Sequence, residues 1–200
     1  KTNLLAGFVA ILIGAIVGGT PAFAVFNGAL DGNNHPSVGF IFAQTTDPAT
    51  CNAQLVSNCA ATLVSPTVAV TSGDCAEAFT TGGGYFDITA VWISFNPDNP
   101  FDCATASRVD ALQWHPSFDA NVSPSPFDIG VAVLSAPAAM TPATLPAADS
   151  QGGYDKGDPF DVVSWGGITG GTVYDYRRPF SPAGLMSTDA DYLKIKLSLT

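Results

Sequence analysis

The amino-acid sequence predicts an all-β fold. Short apolar runs bounded by Gly, Pro, Asn or Asp recur along its 200 residues, and no long stretch carries the 3.6-residue apolar period of an amphipathic helix. Strict alternation is clearest near residue 200, where four apolar residues alternate with Lys194, Lys196 and Ser198: Leu193, Ile195, Leu197 and Leu199. Alternation of this kind is typical of a half-buried strand.

Residues 1–24 have the features of a secretory signal peptide. Lys1 precedes an apolar run from Leu4 to Val17, and Ala22-Phe23-Ala24 supplies the small residues of a cleavage site. The run is too short to span a hydrocarbon core of about 30 Å comfortably. We therefore expect cleavage before Val25 and a secreted, extracellular protein. The alternative is a membrane anchor that stays attached.

Residues 25–135 are expected to form a first β-barrel. Six apolar or alternating runs in this range are separated by turn-forming residues. The predicted strands are Val38 to Ala43, Ala60 to Val64, Val68 to Thr71, Thr89 to Phe95, Arg108 to Trp114 and Ile129 to Leu134. Six strands are enough to close one barrel.

Residues 136–200 are expected to form a connector and a partial second β-barrel. The connector, Ala136 to Ala148, is rich in proline, which cannot donate a ladder hydrogen bond. Three strands are predicted after it: Phe160 to Trp165, Thr172 to Tyr176 and Tyr192 to Leu199. Three strands do not close a barrel, so the second barrel is expected to be incomplete.

The charge balance excludes several classes of partner. The chain has 17 acidic and 7 basic residues, a formal charge of -10, and only 12% charged residues. Such a surface repels nucleic-acid phosphates and anionic lipids, so we expect no nucleic-acid partner and no stable membrane association after signal removal. No pair of histidines or cysteines has metal-ligand spacing. We expect no metal and no cofactor.

Four cysteines in an exported chain predict two disulfides, although four cysteines allow three pairings. They are Cys51, Cys59, Cys75 and Cys103.

Residues 59–75 carry the most specific motif of the chain. The stretch from Cys59 through Leu-Val-Ser-Pro to Thr-Ser-Gly-Asp74-Cys75 resembles a block of the trypsin-like serine proteases. In that family a Cys, Leu-Ile-Ser-Pro, a strand and Thr-Ala-Ala-His-Cys follow one another. The resemblance implies a Cys59–Cys75 disulfide and places Asp74 where the family has its catalytic His. For Cys51 and Cys103 we then expect a second bridge rather than two free thiols.

Further matches follow in the family's order, from Val25 to Leu199. Phe127-Asp128-Ile129-Gly130 resembles the family's Asn-Asp-Ile-Ala, so Asp128 falls at the position of the triad carboxylate. The other matching segments are Val25 to Gly28, His35 to Gly39, Trp114 to Phe118, Val163 to Gly166 and Tyr192 to Ile195. The resemblance implies a chymotrypsin-like double β-barrel, with the first barrel complete and the second partial.

Two departures from the family argue against catalysis. The nucleophile motif Gly-Asp-Ser-Gly-Gly is missing from the sequence, and its usual place would lie beyond Thr200. Serine attack also needs an imidazole that accepts the hydroxyl proton on one nitrogen and donates to a carboxylate from the other. Asp74 cannot do both. In a protease of this type, loss of a triad member costs on the order of a million-fold in turnover.

Several smaller hypotheses concern single residues. Asp74 and Asp128 could share a proton or attract a cation, but we favour two solvated carboxylates. His35 and His115 each precede a proline, so we expect structural or solvated roles rather than a displaced general base. Arg177 and Arg178 are expected to form a solvated turn.

Three functions remain open. The first is a secreted serine protease homologue that binds proteins or peptides in its cleft without cutting them. The second is a fragment of an active secreted serine endopeptidase whose nucleophile lies beyond Thr200, although Asp74 weighs against it. The third is a structural or adhesive β-domain that retains only the scaffold.

Overall fold

The structure, a computed structural model, describes residues 29–51, 55–84, 86–122, 124–148, 150–165, 178–188 and 193–197. The predicted signal peptide, Val25 to Gly28 and the predicted strand from Thr172 to Tyr176 lie outside these residues. Within them, no helix is long and apolar enough to cross a membrane.

The first described strand, β1 (Ala29–Leu30), pairs with a strand of the second sheet and is not part of the barrel. The next six strands close into a barrel. They are β2 (Val38–Gln44), β3 (Leu55–Ser65), β4 (Val68–Thr71), β5 (Ala90–Ser94), β6 (Ser107–Trp114) and β7 (Gly130–Leu134). Their order around the barrel is β2-β3-β4-β7-β6-β5, with antiparallel neighbours. The prediction of a complete six-stranded barrel is confirmed.

The strand β2 is buried on both faces, which explains its continuous apolar sequence. Ile41 and Ala43 point into the barrel core. Phe40 and Phe42 form a second cluster with Trp165, in which the Phe40 and Trp165 rings lie 5.4 Å apart, edge to face. Trp165 lies just after the strand of the second sheet that ends at Val163, so this aromatic cluster joins the two parts of the fold.

A short helix, α1 (Gly73–Thr81), follows β4 and was not among the predicted elements of the otherwise all-β fold. Ser72 has an extended backbone, and its Oγ accepts a hydrogen bond from the amide of Cys75 at 3.1 Å, which is the pattern of a helix N-cap. Gly82 ends the helix with a φ of 69°, a left-handed conformation that glycine adopts readily. The buried ring of Phe79 anchors the helix to the barrel core.

The second sheet contains β1 and three later described strands, β8 (Pro159–Val163), β9 (Pro179–Thr188) and β10 (Leu193–Leu197). The long strand β9 pairs with each of the other three. Ala183 of β9 pairs with both Phe160 of β8 and Leu197 of β10, so these two strands lie on opposite edges of β9. The two residues of β1 pair with Phe180 and Pro179 of β9, which ties the N-terminal side of the described chain to this sheet.

The second sheet departs from the sequence predictions in two ways. The strand β9 was not predicted, because it contains Pro179, Pro182 and Gly184, which are rare in strand interiors. The strand β10 was predicted, but the residue Ile195 is 38% exposed, although the alternation predicted its burial.

Arg178 is buried, and the prediction of a solvated turn at this residue is wrong. Its Nε donates to Oδ2 of Asp31 at 2.9 Å, its Nη1 to the carbonyl of Val38 at 2.8 Å and its Nη2 to the carbonyl of Gly32 at 3.0 Å. Both side chains of the Arg178–Asp31 pair are 0% exposed. The guanidinium thus provides the backbone carbonyl of the buried residue Val38 with a hydrogen-bond donor.

Both expected disulfides are confirmed. Cys59 of β3 is bonded to Cys75 of α1, and Cys51 is bonded to Cys103. The first bond fixes the start of α1 to the barrel wall. The second joins the segment after β2 to the loop between β5 and β6.

Candidate active site

Strand register brings Asp74 and Asp128 to one end of the barrel. Thr71, the last residue of β4, pairs with Gly130, the first residue of β7. Because antiparallel strands run in opposite directions, the residues just after Thr71 and just before Gly130 leave the sheet at the same end. The first turn of α1 and the side chain of Asp128 therefore meet there.

The two predicted site residues are in direct contact. The backbone amide of Asp74 donates a hydrogen bond to Oδ1 of Asp128 at 2.9 Å. This amide belongs to the first turn of α1, where the amides lack intrahelical acceptors. Asp128 and Ser72 thus cap two successive amides at the helix start. The carboxylate also lies at the positive end of the helix dipole, which favours a negative charge there.

Two glycines allow the helix and the loop to approach each other closely. A Cβ atom on Gly73 would lie 3.1 Å from the ring of Phe118. A Cβ atom on Gly130 would lie 2.8 Å from the carbonyl oxygen of Ser72, a distance that side-chain motion cannot relieve because the contact is with backbone. The site therefore depends on the absence of side chains at these positions.

The chemistry that this pair can perform is limited. Asp74 and Asp128 are both exposed to solvent, and ionised carboxylates only accept hydrogen bonds. An ionised carboxylate has no hydrogen to donate, so it cannot accept a proton from a hydroxyl while donating a hydrogen bond to a second carboxylate, as a neutral imidazole does. In the described part of the chain, no group of three or more His, Cys, Asp or Glu residues is placed to hold a metal ion.

His115 lies near Asp128 but is engaged otherwise. Its Nδ1 accepts a hydrogen bond from the amide of Ser117 at 3.1 Å, and its ring stacks on Phe127 with centroids 4.7 Å apart. A neutral imidazole that accepts on Nδ1 carries its proton on Nε2. Nε2 of His115 is then a donor rather than a base, which agrees with the expected structural role.

His35 forms part of the buried Asp31–Arg178 cluster. Its Nδ1 lies 2.5 Å from Oδ1 of Asp31, and its backbone amide donates to Oδ2 of the same carboxylate at 3.1 Å. Burial alone would raise the pKa of Asp31, but the hydrogen bonds from His35 and Arg178 and the charge of Arg178 together lower it. Burial lowers the pKa of Arg178, against the opposing effect of Asp31.

Sequence reasoning missed the capping role of Asp128. The signal that could have revealed α1 was present: Ser72 precedes an alanine-containing run with an acidic first turn, and Gly82 follows it. A helix beginning at Gly73 has unpaired amides at Asp74 and Cys75. Ser72 is the local acceptor for the Cys75 amide, whereas the part of Asp128 depends on the register of Thr71 with Gly130, which leaves no local signal.

Comparison with solved structures identifies the fold. The HL collagenase structure matches with a TM-score of 0.61 and 12% identity, over 82% of this chain and 64% of that chain. A structure of GrC, granzyme C, matches with a TM-score of 0.59 and 14% identity, over 82% of this chain and 66% of that chain. The chain thus spans less than two thirds of either protein. Neither a protein-family model nor a curated protein sequence matches it.

These two neighbours have the chymotrypsin fold of serine proteases. The closed barrel that carries Asp74 and Asp128, the second partial sheet and the structural neighbours agree with one another. The chain has the chymotrypsin-like double β-barrel fold, with its first barrel complete and its second partial.

Proposed function

We propose that this protein is a secreted homologue of the trypsin-like serine proteases that binds protein or peptide ligands without hydrolysing them. The observation that carries the proposal is the contact between Asp74 and Asp128. On this proposal, Asp74 stands at the base position beside the carboxylate of Asp128, so the protein binds ligands but lacks a proton relay.

An active endopeptidase is the second candidate, and structural likeness to two proteases favours it. A longer chain that supplied a nucleophile would still have Asp74 beside Asp128. The reaction needs a base that can accept the serine proton and then donate it to the leaving amine. We therefore rank non-hydrolytic binding above proteolysis.

Export is part of the proposal. Residues 1–24 resemble a signal peptide, and both disulfides of the described fold are typical of an oxidising compartment. We propose a first barrel within residues 25–135 and a connector with the second sheet within 136–200. Mass spectrometry of the protein collected from the medium should find Val25 at the N-terminus. Material that still carries residues 1–24 would contradict the export proposal.

The binding function is tested with a panel of labelled peptides. Fluorescence anisotropy measures binding to the purified protein, and mass spectrometry of the same samples after prolonged incubation measures cleavage. We expect saturable binding to a subset of the peptides, with every peptide recovered intact. Absence of binding across the panel would favour a scaffold domain, and cleavage would favour the endopeptidase.

A further inference from the structure

The loop between β6 and β7 begins with a turn that uses the side chain of His115 as an acceptor. The amide of Ser117 donates to Nδ1 of His115 at 3.1 Å, and the amide of Phe118 donates to the carbonyl oxygen of His115 at 2.9 Å. The amide of His115 donates to the carbonyl oxygen of Ile129 at 2.9 Å, at the other end of the loop. His115 therefore closes the base of the loop and folds its first turn.

This turn places the ring of Phe118 against the start of α1. Phe118 is half-buried, and a Cβ atom on Gly73 would lie 3.1 Å from its ring. Gly73 directly precedes Asp74, whose amide is hydrogen-bonded to Asp128. The first turn of the loop thus packs on the helix end that carries the candidate active site.

Protonation of His115 removes the acceptor on which this turn depends. A neutral imidazole that accepts on Nδ1 has a lone pair there, whereas an imidazolium carries a hydrogen on both nitrogens. The amide of Ser117 then faces a second donor. Rotation of the ring about the Cβ–Cγ bond restores no acceptor, because it places a C–H group at the same position. Imidazole is the side chain that ordinarily changes its charge between pH 5 and pH 8.

The stack between His115 and Phe127 survives this change. The two ring centroids lie 4.7 Å apart, and the ring planes differ by 12°. A cation over the face of an aromatic ring is attracted by the quadrupole of that ring, so proton uptake does not weaken the stack. The hydrogen bond from Ser117 is therefore the contact that is lost.

The charged groups near His115 do not repel an imidazolium. The helix α1 packs against β6 and β7. Five carboxyl groups lie on α1, on the loop and on β6: Asp74, Glu77, Asp119, Asp128 and Asp110. The strand β7 has no titratable side chain. The single Lys or Arg in the sequence of these elements is Arg108, near the far end of β6, and its guanidinium is hydrogen-bonded to the carbonyl oxygen of Pro48.

We propose that His115 is a pH-sensitive catch for the loop between β6 and β7. The neutral imidazole binds the Ser117 amide and keeps Phe118 on the start of α1. Proton uptake in a mildly acidic medium breaks this hydrogen bond, and the first turn of the loop then opens about 5-fold more often, as expected for the loss of one hydrogen bond. The inference concerns the protein without a ligand, so it does not rest on the proposed binding function.

Amide hydrogen exchange of the isotope-labelled protein, followed by NMR at pH 8 and at pH 5, tests the catch. Each measured rate is divided by the intrinsic rate at that pH, so that only the change in protection remains. We expect the protection of the Ser117 and Phe118 amides to fall about 5-fold from pH 8 to pH 5. The amide of Thr105 donates to the carbonyl oxygen of Asp102 in another loop, and it should keep its protection as an internal control.

Two substitutions of His115 separate the acceptor from the charge. His115→Asn retains an acceptor oxygen near the position of Nδ1 and does not titrate between pH 5 and pH 8, so its protection should stay high at both pH values. His115→Ala has no acceptor and should show low protection at both. His35→Asn changes the only other histidine of the sequence and retains a donor for Asp31. It should leave the pH response of Ser117 intact.

Each contrary result is distinct. Protection of the Ser117 amide that does not change with pH in the unsubstituted protein overturns the inference, and so does a pH response that persists in His115→Asn. A response that disappears in His35→Asn but not in His115→Asn assigns the pH dependence to the buried Asp31 cluster and also overturns it. None of these results bears on peptide binding, which the labelled panel tests separately.

Discussion

Oδ1 of Asp128 accepts a hydrogen bond from the backbone amide of Asp74 at 2.9 Å. The carboxylate of Asp128 thus caps the first turn of α1. This structural role of Asp128 does not depend on whether the protein catalyses a reaction.

Replacing Asp128 should destabilise the protein, because the first turn of α1 then loses its cap. Asp128→Ala leaves the Asp74 amide without its acceptor and should lower the free energy of unfolding by about 1 kcal/mol. Asp128→Asn retains an acceptor oxygen and should cost less. Urea denaturation measures both, with Asp110→Ala as the control at an exposed carboxylate. Equal stability of all the variants would mean that the cap contributes nothing.

The close approach at Gly130 predicts a sharp difference between two glycine substitutions. Gly130→Ala places a Cβ atom 2.8 Å from the carbonyl oxygen of Ser72 and 2.6 Å from Cβ of Ala76. We expect a loss of about 1–3 kcal/mol in the free energy of unfolding. Gly184→Ala in β9 is the control, because a Cβ atom at that position would have no neighbouring atom within 4 Å. Similar urea midpoints for the two variants would contradict the packing described at the helix start.

The buried pair of Arg178 and Asp31 predicts strong coupling. Arg178→Met leaves the carboxylate of Asp31 buried without its charged partner and should cost about 3–5 kcal/mol. Asp31→Leu should cost a comparable amount. The double variant should lose less than the sum, because neither charge is then left unpaired. Lys196→Met, at an exposed lysine, is the control for removing a cation, and additive losses would show that the two residues do not interact.

The lowered pKa of Asp31 predicts how stability depends on pH. A carboxyl group whose pKa is lower in the folded than in the unfolded state stabilises the fold above the unfolded value, about 3.9 for Asp. That contribution is lost as the pH falls through the lower folded value. Urea denaturation between neutral pH and pH 2 should therefore show the advantage of the unsubstituted protein over Asp31→Asn shrinking below about pH 4. An advantage that stays constant to pH 2 would contradict the lowered pKa.

Local sequence patterns predicted the first barrel well and the second sheet poorly. The bounds of β4, Val68–Thr71, were predicted correctly, since a strand buried on one side has a clear apolar pattern and turn residues at both ends. The strand β9 carries prolines and a glycine, and it is held in place by pairing with β8 and β10 rather than by its own propensity. Tertiary pairing of this kind leaves no local signal.

The burial of Arg178 was unpredictable for a related reason. Its partner Asp31 lies 147 residues away in the sequence, and an arginine considered without its partner is expected at the surface. By contrast, Asp74 and Asp128 could be predicted as neighbours, because the motifs around each resemble adjacent parts of one family's site. The hydrogen bond from the Asp74 amide to Asp128 could not be predicted, since it depends on the register of Thr71 with Gly130.

The most direct test of the account is the reaction of the purified protein with a fluorophosphonate, which labels a serine only when a neighbouring base activates it. Asp74 at the base position predicts no labelling and no turnover of fluorogenic peptides, in the unsubstituted protein and in Asp74→Asn alike. An active trypsin-like protease serves as the positive control. Stoichiometric labelling accompanied by peptide hydrolysis would show that the chain retains a working proton relay, and the proposed non-hydrolytic function would then be wrong.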